Sequence, residues 1–396
     1  MQASKDVVIT TALRSAIGGF GGSLAGISPS DLGANVIRAA LAQAQVAGDE
    51  VGQVVMGHVI HTEAKDMYLA RVAAVKAGVS TAAPALTLNR LCGSGLQAVI
   101  NGYEQILLGN ADIVVAGGAE VMSRAGHLLT AARAGQKMGD VTAVDMMVGA
   151  LTDPFGHGHM GITAENIAAQ EGISREEQDA FALASHQKAA AAIAAGRFKD
   201  QIVPVTVKKG RAEVVFDTDE HVRPDVAAGD LAKLRPAFKA DGSVTAGNAS
   251  GLNDGAAAVI LMAGDVAAAR GLKPLARIVA TGLGGVAPEV MGLGPIPASQ
   301  QALARAGLTA ADLDVIESNE AFAAQACAVT AGLGLDPAKV NPNGGAVALG
   351  HPIGASGGVI LVKLVHELAR ITGRYGLATM CIGGGQGIAV VVENLA

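Results

Sequence analysis

Four short stretches of this chain combine residue types that can do covalent and proton-transfer chemistry. Residues 89–98 read NRLCGSGLQA, and Cys92 stands where an apolar strand ends, a Gly turn follows and an apolar helix begins. Amides and the dipole at a helix N-terminus stabilise a thiolate, the reactive form of the side chain. The same placement suits a small, inert Cys buried in a strand–helix turn. Residues 344–357, GGAVALGHPIGASG, carry His351, an imidazole that can donate a hydrogen bond or move a proton near neutral pH. A core histidine bonded to a carbonyl, or a phosphate loop, are the plainer readings, although no Walker-type Lys follows. Residues 377–387, LATMCIGGGQG, end a strand on Cys381 and continue through three glycines, where the amide of Gly383 and its neighbours can bind an oxyanion. A tight turn around a buried Cys explains the same letters. Residues 318–324, SNEAFAA, place Asn319 and Glu320 at a strand end before an Ala-rich helix, and Asn is also a favoured helix cap.

The elements that must hold these stretches repeat. The first half reads as strand 7–11, helix 30–44, strand 54–58, helix 67–77, strand 85–89, the Cys92 turn, a helix to about residue 108 and strand 113–116. The second reads as strand 275–281, helix 298–306, strand 315–318, helix 322–332, strand 339–341, the His351 turn, a helix to about residue 370 and strand 377–381. Offsets of 261, 259 and 266 residues separate Val54 from Val315, Cys92 from His351 and Gly117 from Gly383, a near-constant spacing that points to duplication of one α/β unit. Strands alternating with helices imply largely parallel sheets covered by helices. The charged stretches 174–179 and 208–213 fall between the halves, in what reads as an inserted, partly helical cap, and 251–262 reads as a strand returning to the first half.

Composition narrows the classes. Half of the 396 residues are apolar, 53 are Gly and only 16% are charged, which excludes a disordered chain and a coiled coil. A net charge of −6 gives no reason to expect nucleic acid as a partner. No apolar run reaches the length of a membrane span, and the polar start, residues 1–6, lacks the features of a signal peptide. Three cysteines without a C-x-x-C pair suggest neither a disulfide scaffold nor zinc, and fit a reducing cytoplasm. Cys327, on the apolar side of the helix after Phe322, reads as core.

All four stretches fall at strand ends in matching positions of the duplicated unit. Together NRLCGSG, NEAFA, GHPIGASG and CIGGGQG resemble the active-site blocks of the thiolase family, and the match runs over essentially the whole chain. GHGHMG at 156–161, KLRPAF at 233–238 and TAGNASGLNDGAA at 245–257 resemble the coenzyme A-binding cap of that family. More narrowly, DMYLARVAAV at 66–75 and the stretches 199–204 and 217–222 resemble bacterial β-ketothiolases that make polyhydroxyalkanoate precursors.

The resemblance implies an α/β fold of two duplicated halves with mixed, mostly parallel five-stranded sheets, layered αβαβα. It implies a first half at 1–121 completed by 251–273, a cap at 122–250 and a second half at 274–396. It implies an acyltransferase that makes or cleaves 3-oxoacyl-CoA by a ping-pong Claisen reaction, either biosynthetic with acetyl-CoA and short acyl-CoA or degradative with longer chains. Cys92 would carry the acyl group and Cys381 would take a proton from acetyl-CoA. His351 and a water held by Asn319 would form one oxyanion hole, and the amides of Cys92 and Gly383 the other. By the same carry-over His159, Ser250 and Gly251 meet the pantetheine arm. Met160 and Met291 wall the acyl pocket, Ala321 and Phe322 belong to the substrate- and CoA-binding set, and Arg223 meets the nucleotide end. Asp230 replaces a Ser that some members carry there, and Ser318 stands where Ala is common. No metal or cofactor is implied, the CoA thioesters being substrates, and the expected assembly is a homotetramer built from tight dimers. Two rivals stay in view. A dinucleotide-dependent oxidoreductase needs a fingerprint that the Gly run at 18–22 does not supply. A non-catalytic acyl-CoA binding protein has no use for Cys92 and Cys381 together.

Overall fold

The computed structural model describes residues 6–396; residues 1–5, on which most of the leader expectation rests, lie outside the described residues. The first repeat forms β1 (Val7–Ser15), α1 (Pro29–Ala44), β2 (Gln53–Gly57), α2 (Leu69–Ala77), β3 (Ala85–Leu88), α3 (Ser94–Leu107) and β4 (Ile113–Val121). The inserted segment contributes α4 (Met160–Glu171) and α5 (Arg175–Ala194), after which β5 (Asn253–Ala263) returns to the first sheet. The second repeat forms β6 (Ala276–Gly285), α6 (Pro295–Ala306), β7 (Val315–Ser318), α7 (Ala323–Gly332), α8 (Ile353–Ile371), β8 (Tyr375–Ile382) and β9 (Gln386–Asn394). Local chemistry explains the boundaries. At the start of α1 the Ser28 hydroxyl accepts from the Asp31 amide and Pro29 occupies the first turn. The charged stretch at 174–179 is a capping box, in which Ser174 and Glu177 satisfy each other's amides at the start of α5.

The strands run in the order β7-β8-β9-β6-β1-β5-β4-β2-β3. Apart from β3, which has no counterpart strand in the second repeat, this order is mirrored about the β6/β1 seam, where only Val8↔Arg277 and Ile9↔Ala276 pair, so the second sheet has four strands where five were expected. The duplication read from the spacing is therefore a structural one. Among these strands β2/β3, β2/β4 and β7/β8 pair in parallel, and Arg14 and Ser15 of β1 also pair in parallel with Ile202 and Val203 of the inserted segment. Otherwise β1, β5, β6 and β9 pair antiparallel with their neighbours, so the expected mostly parallel sheets are mixed, with more antiparallel than parallel pairs. A three-residue Gly turn joins β8 to β9, too short for a crossover helix, so that pair has to be a hairpin. The expected strand at 339–341 does not form. Val340 makes a single bridge to Ile316, and Asn341 leaves the extended region at φ +44°. Its side chain turns inward instead, bonding the Ser318 amide at 3.0 Å and the Ser318 carbonyl at 2.8 Å.

Apolar clusters mark the layers. Leu32, Val36 and Ile37 of α1 pack with α2 on the outer face of the first sheet, and Ala298, Ala302 and Leu303 of α6 pack outside the second. Between the sheets lie α3 and α8 with Leu96, Val99, Leu361 and Val365. These two helices cross with their backbones touching. A Cβ on Gly95 would stand 2.7 Å from the Gly358 nitrogen, and one on Gly357 2.2 Å from the Leu96 nitrogen. Since α3 starts at the Cys92 turn and α8 at the His351 turn, this glycine contact fixes one turn against the other.

The inserted segment is held by both apolar and polar contacts: Ala189, Ala192 and Phe198 join the core between the sheets. Arg14 of β1 forms a buried two-point ion pair with Asp219, at 2.7 and 2.9 Å. The segment also carries two small hairpins, His127–Leu129 with Ala143–Asp145, whose Leu128 and Leu129 are exposed, and Val205–Lys209 with Ala212–Phe216, whose Val205, Val207 and Phe216 pack into the core of the first repeat. Among the described residues no helix is long and apolar enough to cross a membrane.

Candidate active site

The Cys92 turn is braced by its own polar residues. Leu91 sits at φ +45°, held by a 2.8 Å bond from its amide to Asn89 Oδ1. The Ser94 hydroxyl accepts from the Arg90 amide at 2.8 Å and donates to the Leu91 carbonyl at 2.7 Å. The helix begins two residues beyond the thiol, at Ser94. Cys92 is half-buried. Burial pushes its thiol up to about 11, against the amides of Gly383 and of Cys92 itself, which favour the thiolate. The resting side chain is thus a thiol. The expectation of a thiolate stabilised at a helix terminus is corrected here, because loss of water around the sulfur outweighs the two amides.

His351 is oriented from both sides. Its amide donates to Asn253 Oδ1 at 2.9 Å, and Gly350, at φ +108°, leaves the room that the Asn253 side chain occupies. Nδ1 lies 2.6 Å from Ser356 Oγ, and that hydroxyl spends its proton on the Pro352 carbonyl at 2.9 Å. Nδ1 must therefore be the protonated nitrogen, and Nε2 is left as a bare acceptor. Nε2 is buried without a partner. Burial pulls the imidazole down to about 4, so it is neutral over the physiological range.

Cys381 ends β8 opposite Gly387 of β9 and is buried. Burial, and then the neighbouring Cys92, push its thiol well above the ordinary range. Gly383, Gly384 and Gly385 carry the hairpin away, the last two at positive φ.

Cys92, His351, Cys381 and Gly383 line one cavity of about 360 Å³, although they come from opposite repeats. His159, Met160, Ser250, Gly251, Met291, Ala321 and Phe322 line it too, so eleven of the thirteen residues singled out by sequence share one space. The other two do not reach it. Arg223 is exposed, its amide donating to His186 Nδ1 at 3.2 Å. Asn319 lies just behind the cavity, its amide bonded to the Thr379 carbonyl at 3.0 Å, its side-chain Nδ2 buried without a partner beside a void of about 10 Å³. Such a void holds about one water.

The walls are apolar. His159 caps α4 by accepting the Gly161 amide on Nδ1 at 3.1 Å, which leaves Nε2–H as its free donor. Its ring stacks on Phe238 at 4.8 Å, and Phe238 meets Phe322 edge-on at 6.1 Å. Beyond Cys92 the cavity continues between Met122, Met147, Leu151, Leu252 and Ile353. These five were not singled out, because each reads in sequence as ordinary core and only the fold turns it toward the thiol. Cys327 departs from its core reading: it is half-buried and opens on a separate cavity with Phe181 and Lys188. Asp230 is exposed, accepting from the Ala227 amide at 3.3 Å and facing Lys233 at 3.6 Å.

Chemically, the site offers two thiols near one another, a neutral imidazole with a free lone pair, and two backbone amides aimed at one of the sulfurs. That set can form and break a thioester and move a proton between sulfur, nitrogen and carbon.

Comparison with known proteins agrees. Residues 7–265 match the family model for the thiolase N-terminal domain and residues 272–394 that for the thiolase C-terminal domain. The chain is 62% identical to the β-ketothiolase BktB of Cupriavidus necator over 99% of this chain and 100% of the relative. It is 54% identical to an acetyl-CoA acetyltransferase of Chromobacterium violaceum over 98% and 100%. Among solved structures, an acetyl-CoA acetyltransferase of Bacillus anthracis superposes with a TM-score of 0.98 at 47% identity, covering 100% of both chains. Human mitochondrial 3-ketoacyl-CoA thiolase in complex with CoA superposes with a TM-score of 0.96 at 45% identity, covering 98% of both.

Proposed function

The chain belongs to the thiolase family and is an acyltransferase of the β-ketothiolase kind, and from that premise we propose how its residues divide the work. The reaction is the reversible condensation of acetyl-CoA with acetyl-CoA or a short acyl-CoA to 3-oxoacyl-CoA and CoA. The observation that carries the proposal is the meeting of Cys92, His351, Cys381 and Gly383 in one apolar cavity. Both thiols start protonated and His351 starts neutral. Cys92 gives its proton to His351 Nε2 while its sulfur attacks the thioester carbonyl, and the oxyanion is held by the amides of Cys92 and Gly383. The tetrahedral adduct expels CoA, which takes the Cys381 proton. An acyl-Cys92 remains, with a Cys381 thiolate beside a His351 imidazolium.

Acetyl-CoA then enters. Cys381 takes a proton from its methyl group, and the enolate oxygen is held by His351 and by a water on Asn319 Nδ2. The new carbon–carbon bond forms at the acyl carbonyl, Cys92 leaves, and the imidazolium returns its proton. All three groups end in their starting states. His159 Nε2–H, Ser250 and Gly251 would hold the pantetheine arm and Arg223 the nucleotide end, with Met160, Met291, Ala321 and Phe322 against the acyl chain. These steps use only thiols, imidazole, amides and water, so the proposal includes no metal or prosthetic group. It places the protein in the cytoplasm, supplying polyester precursors. A degradative role with longer chains is the competing reading. Initial thiolysis rates with four-, five- and six-carbon 3-oxoacyl-CoA decide between them. Comparable rates for four and five carbons and a fall beyond support the biosynthetic reading; rates that keep rising with length overturn it.

Assembly belongs to the proposal as well. The edge strand β3 pairs only with β2, and Leu86 on it, with Met67, Tyr68 and Val75 nearby in sequence, is exposed. Such an edge invites pairing with a second copy across a two-fold axis. The hairpin at 127–145 exposes Leu128 and Leu129, and Met138 near its tip is 88% exposed. We assign the edge to a tight dimer and the hairpin to a dimer of dimers. Light scattering at micromolar concentration should return about four times the 39.4 kDa chain mass. A fully active species at one chain mass would exclude both interfaces.

A further inference from the structure

We propose that Glu120 is a positioning residue for acyl transfer: its buried carboxyl group clamps the walls around Cys92 to the turn that carries His351, with His58 as the fourth group that holds it. The inference rests on the acyl-Cys92 reading above.

Glu120 lies on β4 with its side chain fully buried. Oε2 accepts the Val59 and Gly354 amides, both at 3.0 Å, and Oε1 accepts the Ile60 amide at 3.1 Å. Val59, Ile60 and Ile353, the residue before Gly354, pack with Met122 in the cluster that contains Cys92. One carboxylate therefore ties β4 and the loop after β2, from the first repeat, to the first turn of α8, three residues past His351. The approach leaves no space: a Cβ on Gly354 would stand 2.4 Å from Glu120 Oε2.

The fourth neighbour is His58, whose Nδ1 lies 3.2 Å from Glu120 Oε1 and 2.9 Å from the Ala119 carbonyl. Both are acceptors, so Nδ1 carries the proton. Four donors thus surround Glu120 and no acceptor does, which is the setting of a carboxylate. Burial pushes its carboxyl up to about 8, opposed by the three amides, so the charge is only partly developed at neutral pH and grows as the pH rises through 8. On the far side of His58, Nε2 faces Asp66 Oδ2 at 3.9 Å, and the His61 ring stacks on it at 5.3 Å. His58 Nε2 and Asp66 Oδ1 are both buried without partners. The titratable groups around the carboxylate are therefore His58, then Asp66 and His61, and toward the cavity Cys92. A negative charge there disfavours the Cys92 thiolate. The nucleophile is kept as a thiol until substrate and His351 draw the proton away, and a thiol resists idle oxidation.

The test reads Cys92 directly, by the pH profile of iodoacetamide labelling at that peptide, beside kcat and KM for acetoacetyl-CoA thiolysis. Glu120→Gln removes the charge and one acceptor. Labelling at pH 9, where the carboxyl is mostly ionised, should rise about fivefold as the profile moves to lower pH, while kcat falls about tenfold or more with KM within about twofold. Glu120→Asp keeps the charge but cannot reach all three amides, so kcat should fall with the labelling profile in place. His58→Asn leaves the three amides and weakens the fourth donor, which raises the Glu120 carboxyl, lessens its charge and should move the profile to lower pH by a smaller step, speeding labelling at pH 9 about twofold. A shift to lower pH in the Gln and Asn variants, with the profile in place in Glu120→Asp, is the signature of the field, which a merely structural role would not produce. If the Gln variant does not fold, the Asn variant decides alone. A profile unmoved by whichever variants fold, or an unchanged kcat in Glu120→Gln, overturns the proposal without touching the acyl-Cys92 reading, which stands on the Cys92→Ser variant.

Discussion

Cys92→Ser should lower turnover by at least about 10³-fold while CoA binding changes by no more than about twofold. The reason lies in the proton that must leave residue 92. In the free enzyme the Cys92 thiol stands at about 11 and the imidazole that receives its proton at about 4. Transfer between them is uphill even for sulfur, and it succeeds only because attack and oxyanion binding by the amides of Cys92 and Gly383 accompany it. A hydroxyl gives up its proton far less readily than a thiol, and the acceptor offered to it, His351 Nε2, is a weak base. The pocket itself should survive, because the Cys92 turn is braced by Asn89 and Ser94 rather than by the sulfur. Mass spectrometry of the wild-type enzyme with acetyl-CoA should show the acyl adduct on the Cys92 peptide. With the thiol at about 11 and His351 neutral down to about 4, the reacting thiol–imidazole pair is the resting form throughout this range, so single-turnover acylation should be flat between about pH 6 and 9; a steady rise with pH would mean that a pre-formed thiolate reacts instead. Wild-type turnover in the Ser variant, or an adduct on another residue, would falsify the assignment.

Cys381→Ser should separate the two halves of the reaction. Acylation of Cys92 in a single turnover should survive within about tenfold, because a CoA thiolate departs without much help from an acid. Condensation should fall by about 10³-fold or more, because taking a proton from the methyl group of a thioester requires the thiolate. The structure sharpens this expectation. Burial and the nearby Cys92 hold the Cys381 thiol well above its usual range, so its thiolate is a strong base once formed. A serine hydroxyl in the same buried position has no accessible anion. The measurement is a rapid-quench comparison of acyl-enzyme formation with acetoacetyl-CoA formation. Equal losses in both steps would show that Cys381 does not have the separate role given to it.

Much of the site was legible because its chemistry is carried by short contiguous segments at strand ends. Cys92, His351 and Cys381 each announce themselves by a reactive atom followed by glycines, and the near-constant offset between repeats places them at matching edges. Resemblance to a family supplied the walls His159, Met160, Met291 and Phe322, and these line the cavity as expected. Glu120 was not legible. It is one polar residue in an otherwise apolar strand, and nothing local marks a carboxylate whose partners lie about 60 residues back, at Val59 and Ile60, and 234 residues ahead, at Gly354. The strand expected at 339–341 failed for a related reason: Asn341 is recruited by Ser318, 23 residues away, and that bond outweighs the local preference for extension.

The amino-acid sequence by itself determined the duplication, the α/β class and the identity of the reactive atoms, since periodicity, Gly turns and thiol or imidazole chemistry are properties of neighbouring residues. Tertiary structure alone decided their states. The crossing of α3 and α8 at Gly95 and Gly357 brings the Cys92 turn against the His351 turn, and burial among Met122, Ile60 and Ile353 turns an expected thiolate into a thiol. Ser356, which bonds the Pro352 carbonyl, leaves the proton on Nδ1 of His351 and the lone pair on Nε2. Protonation depends on which groups share a dehydrated space, and that is a matter of distance across the fold, which order along the chain does not contain.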